Sequence, residues 1–142
     1  MDLARPGSLQ FAPVRGFLAP MPLRANTVVI IDDEPAAADA LATIVRDWGA
    51  DVTVGADAES IAGQLGPRIG EVGWIIADFH LGPGVDGVRL AREIAEAAPA
   101  ARVLVLSGSF RGQASAEAAR AGYEIMLKPV RAEKIVSWLE RA

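Results

Sequence analysis

The chain has 142 residues, is 51% hydrophobic, and carries a formal charge of -4 from 14 Lys and Arg against 18 Asp and Glu. That length suits one domain with a sizeable core, and a mild acidic balance without a basic run gives no electrostatic footprint for nucleic acid. With no cysteine and a single histidine, disulfide frameworks and thiolate metal sites are excluded, and a zinc site or serine-type triad is disfavoured. No apolar run is long enough to span a membrane and no signal-peptide pattern opens the chain, so a cytoplasmic location is expected.

Residues 1–25 hold Pro6, Pro13, Pro20 and Pro22 and no sustained apolar period. Proline at that density opposes both helix and central strand, which predicts an irregular extension or linker ahead of a domain over 26–142. Leu9, Phe11, Phe17, Leu18 and Leu23 in it could dock on the domain or on a partner. Val28 to Ile31 then reads as a buried strand. Leu41, Ile44, Val45 and Trp48 fall on one face of a helix closed by Gly49. Val52 and Val54 alternate with Asp51 and Thr53 as a half-buried strand, and Asp57 caps a short helix to about Leu65.

Trp74 to Ala77 is a third, fully apolar strand. Asp86 to Ala98 forms a helix with Ala91, Ile94, Ala95 and Ala98 inward, and Pro99 beyond its end. Val103 to Leu106 is the fourth strand. Residues 113–121 form an alanine-rich helix closed by Gly122. Ile125 to Leu127 is a short fifth strand, and Arg131 to Arg141 a last helix with Ile135, Trp138 and Leu139 inward. Strict alternation of five strands and five helices predicts an α/β fold with a parallel sheet covered on both faces. The continuously apolar first, third and fourth strands belong in the middle, and the other two at the edges. The flavodoxin-like order 2-1-3-4-5, a doubly wound (βα)5 arrangement, meets both demands.

Asp32, Asp33, Asp78, Ser107 and Lys128 all fall just past carboxyl ends of these strands, where ligands bind in open parallel sheets. Three carboxylates in one crevice repel unless a charge neutralises them, and a hard divalent cation such as Mg²⁺ suits that task. A bland reading makes Asp32-Asp33 the N-cap of the first helix before Pro35. Capping accounts for one acid, but not for the pair together with Asp78. The run from Phe79 to Gly87 is rich in Gly and Pro, so Asp78 is expected to end in a loop and be reachable. A carboxylate beside a metal can be a nucleophile toward phosphorus, with Lys128 and Ser107 holding phosphoryl oxygens.

In this order and spacing the chain resembles the receiver domains of two-component response regulators. Asp32-Asp33-Glu34-Pro35 resembles the family's acidic pair, Asp78 its phospho-acceptor, Ser107-Gly108 its hydroxyl position and Lys128-Pro129 its lysine and cis-proline. Asp86-Gly87 resembles the turn after the acceptor loop, and the likeness runs over about residues 27–141. It implies transfer of a phosphoryl group onto Asp78 from a histidine kinase or phosphotransfer protein. It also implies Mg²⁺ held by Asp33, Asp78 and the His80 backbone carbonyl, with Asp32 acting largely through water. Such a switch catalyses only its own phosphorylation and dephosphorylation. Ser107 and Lys128 would turn toward the phosphoryl group and repack the face of the fourth helix, fifth strand and fifth helix.

That face would also suit a weak homodimer or a downstream protein partner. The apolar start of the first helix, Pro35 to Ala38, resembles the surface that receivers offer to helical phosphotransfer partners. The chain departs from the family at Ile125, where Tyr or Phe is frequent, which points to another signalling face or a smaller motion. His80 and Ser109 stand at positions that influence dephosphorylation in the family. No output domain is expected, since the chain ends with the last helix. It then reads as a stand-alone receiver or one cut from a hybrid kinase. Three other readings stand against this one. An aspartate-nucleophile phosphatase would need an acid where His80 stands. A nucleotide or flavin binder would need a glycine- or hydroxyl-rich loop where Asp32-Asp33-Glu34 stands. A receiver-like module that binds without phosphate is opposed by the full set of site residues.

Overall fold

The computed structural model describes residues 26–81, 86–108 and 112–141. The proline-rich extension, Gly82 to Val85 in the segment after Asp78, and Ser109 lie outside them. Among the described residues five strands form one parallel sheet, in the order β2-β1-β3-β4-β5. They are β1 Thr27–Ile31, β2 Asp51–Gly55, β3 Val72–Asp78, β4 Arg102–Ser107 and β5 Glu124–Leu127. Five α-helices alternate with them: α1 Pro35–Trp48, α2 Ala58–Leu65, α3 Gly87–Ala97, α4 Gln113–Ala121 and α5 Ala132–Glu140. A 3-10 turn over Gly66–Glu71, not foreseen from the sequence, joins α2 to β3. No described helix is long and apolar enough to cross a membrane.

The strand order follows from which strands can lose water on both faces. Every residue of β1 is buried, whereas β2 and β5 keep exposed positions. β-branched Val and Ile suit the central strands because their branched side chains pack against the pleated surface. Alternation then divides the interior. Val28, Ile30, Ile76, Leu104 and Leu106 pack with Ala42 and Val45 of α1 and Ile135, Trp138 and Leu139 of α5. Val29, Ile31, Ile75, Ala77, Val103 and Val105 pack with residues of α2, α3 and α4.

The helix ends are set by local chemistry. Gly49, at φ 118°, closes α1 in the left-handed conformation and donates its N–H to the Arg46 and Val45 carbonyls, a conformation that costs glycine little. The Asp57 carboxylate accepts from the Ser60 N–H and caps α2 as expected. The start of α1 differs from the bland capping reading: Glu34 is the N-cap, and its side chain accepts from the Ala37 N–H at 2.8 Å. The cap therefore falls on the third acid of the run, directly before Pro35. Asp32 and Asp33 are left to face the strand ends.

The tryptophans lie at the opposite end of the sheet. Trp48 meets Trp74 edge-to-face with centroids 5.4 Å apart, and donates from Nε1 to Glu140 at 3.2 Å. Arg102 lays its guanidinium over the Trp138 ring at 5.0 Å. The same guanidinium donates to the carbonyls of Trp138 at 2.9 Å and Arg141 at 2.7 Å. It thereby satisfies orphan carbonyls at the α5 C-terminus.

Candidate functional site

The site is built by extending the sheet one residue past its strands. The Asp32 N–H donates to the Gly55 carbonyl at 3.1 Å, and the Lys128 N–H to the Ser107 carbonyl at 2.8 Å. Ile31 pairs with Ala77, Asp78 with Leu106, and Ser107 with Leu127. Asp32, Asp78 and Ser107 are thus brought to one end of neighbouring strands β1, β3 and β4, with Lys128 following β5. Pleat alternation places Asp32 in step with Ile30, Asp78 with Ile76 and Lys128 with Met126, all toward α1 and α5. Ser107 follows Val105 toward the other face.

Carboxylate oxygens of Asp32, Asp33 and Asp78 lie within 4.8 Å of one another. Asp32 and Asp78 are buried, and Asp33 is exposed. Lys128 Nζ stands 2.9 Å from Asp78 Oδ1 as an ion pair. Its alignment is not that of a hydrogen bond, and this buried oxygen accepts none among the described residues. Asp32 Oδ1 accepts from the Glu34 N–H at 3.0 Å. Burial pushes the Asp32 carboxyl above its ordinary range, against the Glu34 hydrogen bond. Asp78 adds to the rise, Lys128 opposes it, and Asp33 adds further. Three carboxylates against the single Lys128 ammonium leave the cluster net negative when all are ionised.

Three hard oxygen donors, two of them buried, and an oxygen without a hydrogen bond fit a divalent cation. Ser107 is buried, at 1% exposure, at the end of β4. The Lys128–Pro129 peptide is cis, as the likeness implied. His80 is exposed; its ring meets Phe79 edge-on at 4.9 Å, and its backbone pairs with Asp86 in an antiparallel bridge. Ile125 is half-buried and packs into the α2–α3–α4 side of the core together with Tyr123.

Two residues at the site were not singled out for their true roles in the sequence. Glu34 is masked as a cap by the two aspartates before it, although Pro35 at the first helical position marks it. Gly87 falls inside the helix expected over Asp86 to Ala98, but the sequence does not show that it opens α3 or that its N–H donates to the Phe79 carbonyl at 2.8 Å. A glycine following a capping Asp at a helix start was the available signal.

A groove of ≈ 520 Å³ adjoins the site between α1 and the segment after β5. Its lining includes Ala37, Leu41 and Ile44 on one wall, Pro129 and Val130 on the other, and Asp32 and Lys128 at the end nearest the acids.

Comparison with known proteins agrees with this fold. Residues 28–140 match the response regulator receiver domain family. The nitrogen assimilation regulatory protein NtrX of Azorhizobium caulinodans is 29% identical over 120 residues, covering 83% of this chain and 26% of that protein. The chain thus spans about a quarter of that curated relative's length. A response regulator from Burkholderia pseudomallei, solved with a phosphorylated aspartic acid, calcium ion and citrate, is 26% identical at a TM-score of 0.68. That match covers 81% of this chain and 66% of the solved one. A CheY-like receiver domain protein from Methanospirillum hungatei JF-1, at 20% identity, shares the fold with a TM-score of 0.68, over 81% of this chain and 90% of the other.

Proposed function

The chain belongs to the response regulator receiver domain family, and on that premise we propose that it is a phosphorylation-dependent switch with Asp78 as acceptor. One observation carries this reading: the buried Asp78 carboxylate ends β3 amid two further aspartates, with Lys128 Nζ 2.9 Å from its Oδ1.

The donor is a phosphohistidine on a histidine kinase or phosphotransfer protein. An Asp78 carboxylate oxygen attacks phosphorus, a P–O bond forms as the P–N bond breaks, and the departing electron pair returns to the imidazole nitrogen. Lys128 moves from the carboxylate to a phosphoryl oxygen, a short shift for a side chain that is 40% exposed. Ser107 donates its hydroxyl to another oxygen. Asp33, Asp78 and the His80 backbone carbonyl would hold Mg²⁺, with Asp32 acting through water. When bound there, Mg²⁺ would supply the charge neutralisation that the transferring phosphoryl group needs. The phosphorylated and calcium-containing Burkholderia structure supports the same pairing of acyl phosphate and cation here.

The groove between α1 and Pro129–Val130 suits a partner helix carrying the phosphohistidine, because an apolar helix face can bury itself there beside the acids. A cytoplasmic relay or sink, acting by protein contact and without nucleic acid, fits this surface, whether the receiver stands alone or within a hybrid kinase. The α4–β5–α5 face remains open to a downstream partner or a second copy. His80 is exposed beside the acceptor, where its ring could place or exclude the water that hydrolyses the acyl phosphate.

Intact mass after incubation with Mg²⁺ and acetyl phosphate tests the reading. The expected result is a gain of one phosphoryl group that disappears with Asp78→Asn and with EDTA. A chain that gains nothing from either acetyl phosphate or a phosphorylated histidine kinase would overturn it in favour of a phosphate-independent binding module.

A further inference from the structure

Two consecutive residues entering α3 grip the backbone that leaves β3. Asp86 pairs with His80 in the antiparallel bridge, and its carboxylate caps α3 by accepting from the Arg89 N–H at 2.8 Å. Gly87 donates its N–H to the Phe79 carbonyl at 2.8 Å. Its Cα lies directly against the acceptor's main chain. A Cβ at Gly87 would overlap the Asp78 carbonyl oxygen, stand 2.8 Å from the carbonyl carbon and 3.3 Å from the Ala77 Cβ. Gly87 is helical and is not among the glycines with positive φ. Space, rather than backbone freedom, requires glycine here.

We infer that Gly87 is a positioning residue: its missing side chain lets α3 set the main chain of Asp78 to His80, and so aims the Asp78 carboxylate and His80 carbonyl at a cation. The inference rests on the reading of Asp78 as a cation-holding acceptor. The obstructing atoms belong to backbone, which cannot swing aside as a side chain can, so a methyl group must push the Asp78 peptide or lift α3. Loss of the outer partners that orient metal ligands typically costs about 10–100-fold in metal affinity.

The test is a Mg²⁺ titration of the full, ¹⁵N-labelled chain, followed through backbone amide shifts. Gly87→Ala is compared with wild type and with Gly63→Ala, an exposed helical glycine whose added methyl meets nothing within 4 Å. Gly87→Ala is expected to weaken Mg²⁺ about tenfold or more among folded molecules, and Gly63→Ala less than about twofold. A merely structural role would lower the melting temperature and leave the affinity of the folded chain unchanged; that result overturns the inference. If Gly87→Ala does not fold, hydrogen exchange of the wild-type Gly87 amide decides. Saturating Mg²⁺ should slow it about tenfold, and an unchanged rate overturns the inference. A wild-type chain without a saturable Mg²⁺ response overturns the site reading and this inference together. A responsive wild type with an unaltered Gly87→Ala overturns the inference alone.

Discussion

Asp32 carries a pH dependence of a definite sign. Burial, then the negative Asp78 and Asp33, hold its carboxyl above the ordinary 3.8, against the Glu34 hydrogen bond and Lys128. A carboxyl whose folded-state pKa exceeds its unfolded one contributes stability that is present below the unfolded value and lost as pH rises through the folded value. In EDTA near pH 7, Asp32→Asn should therefore melt higher than wild type, because it keeps the oxygen that accepts from Glu34 and loses the buried charge. The gap should close as pH falls through the carboxylate range. Differential scanning calorimetry across pH checks this; a variant that melts lower at neutral pH refutes it. The acids at the site were legible as residues, since each follows an apolar strand. The division of labour among Asp32, Asp33 and Glu34 was not, because it turns on which oxygen meets the first-turn N–H groups.

The elements nearly all fall where hydrophobic period and turn residues place them, with boundaries differing by a residue or two. Continuous apolar runs were unambiguous because only central parallel strands bury both faces at this length. The 3-10 turn of Gly66–Glu71 escaped detection, since a tight turn of six residues carries no apolar period. The last helix illustrates how a single residue ties an element down. Trp138 is 1% exposed, and Arg102 both stacks on its ring and satisfies carbonyls at the helix end. Trp138→Ala should cost about 3–5 kcal/mol. Arg102→Met, which retains part of the stem packing but not the charged donors, should cost about 1–2 kcal/mol. Urea unfolding measures both, and equal losses would contradict the separate roles given to packing and capping.

For the whole molecule, the two half-cores on either face of the sheet leave the site as the place where like charge gathers. Anything that binds only the folded state stabilises it, by about 2.7 kcal/mol at a ligand concentration 100 times Kd. Mg²⁺ at that excess should raise the melting temperature of the wild type, and Asp33→Ala should remove most of the rise. A rise that survives Asp33→Ala would place the cation elsewhere. The strand order and the end of the sheet at which chemistry-bearing residues collect are both legible in the sequence, because burial of both strand faces and alternation with helices admit few arrangements. That Lys128 reaches Asp78 from a strand two places away, that Glu34 and not an aspartate caps α1, and that α3 bears on the Asp78 backbone through Gly87 emerge only in the folded chain. Those are contacts between segments remote in the chain or between individual atoms, and periodicity along one segment carries no information about the distance to another.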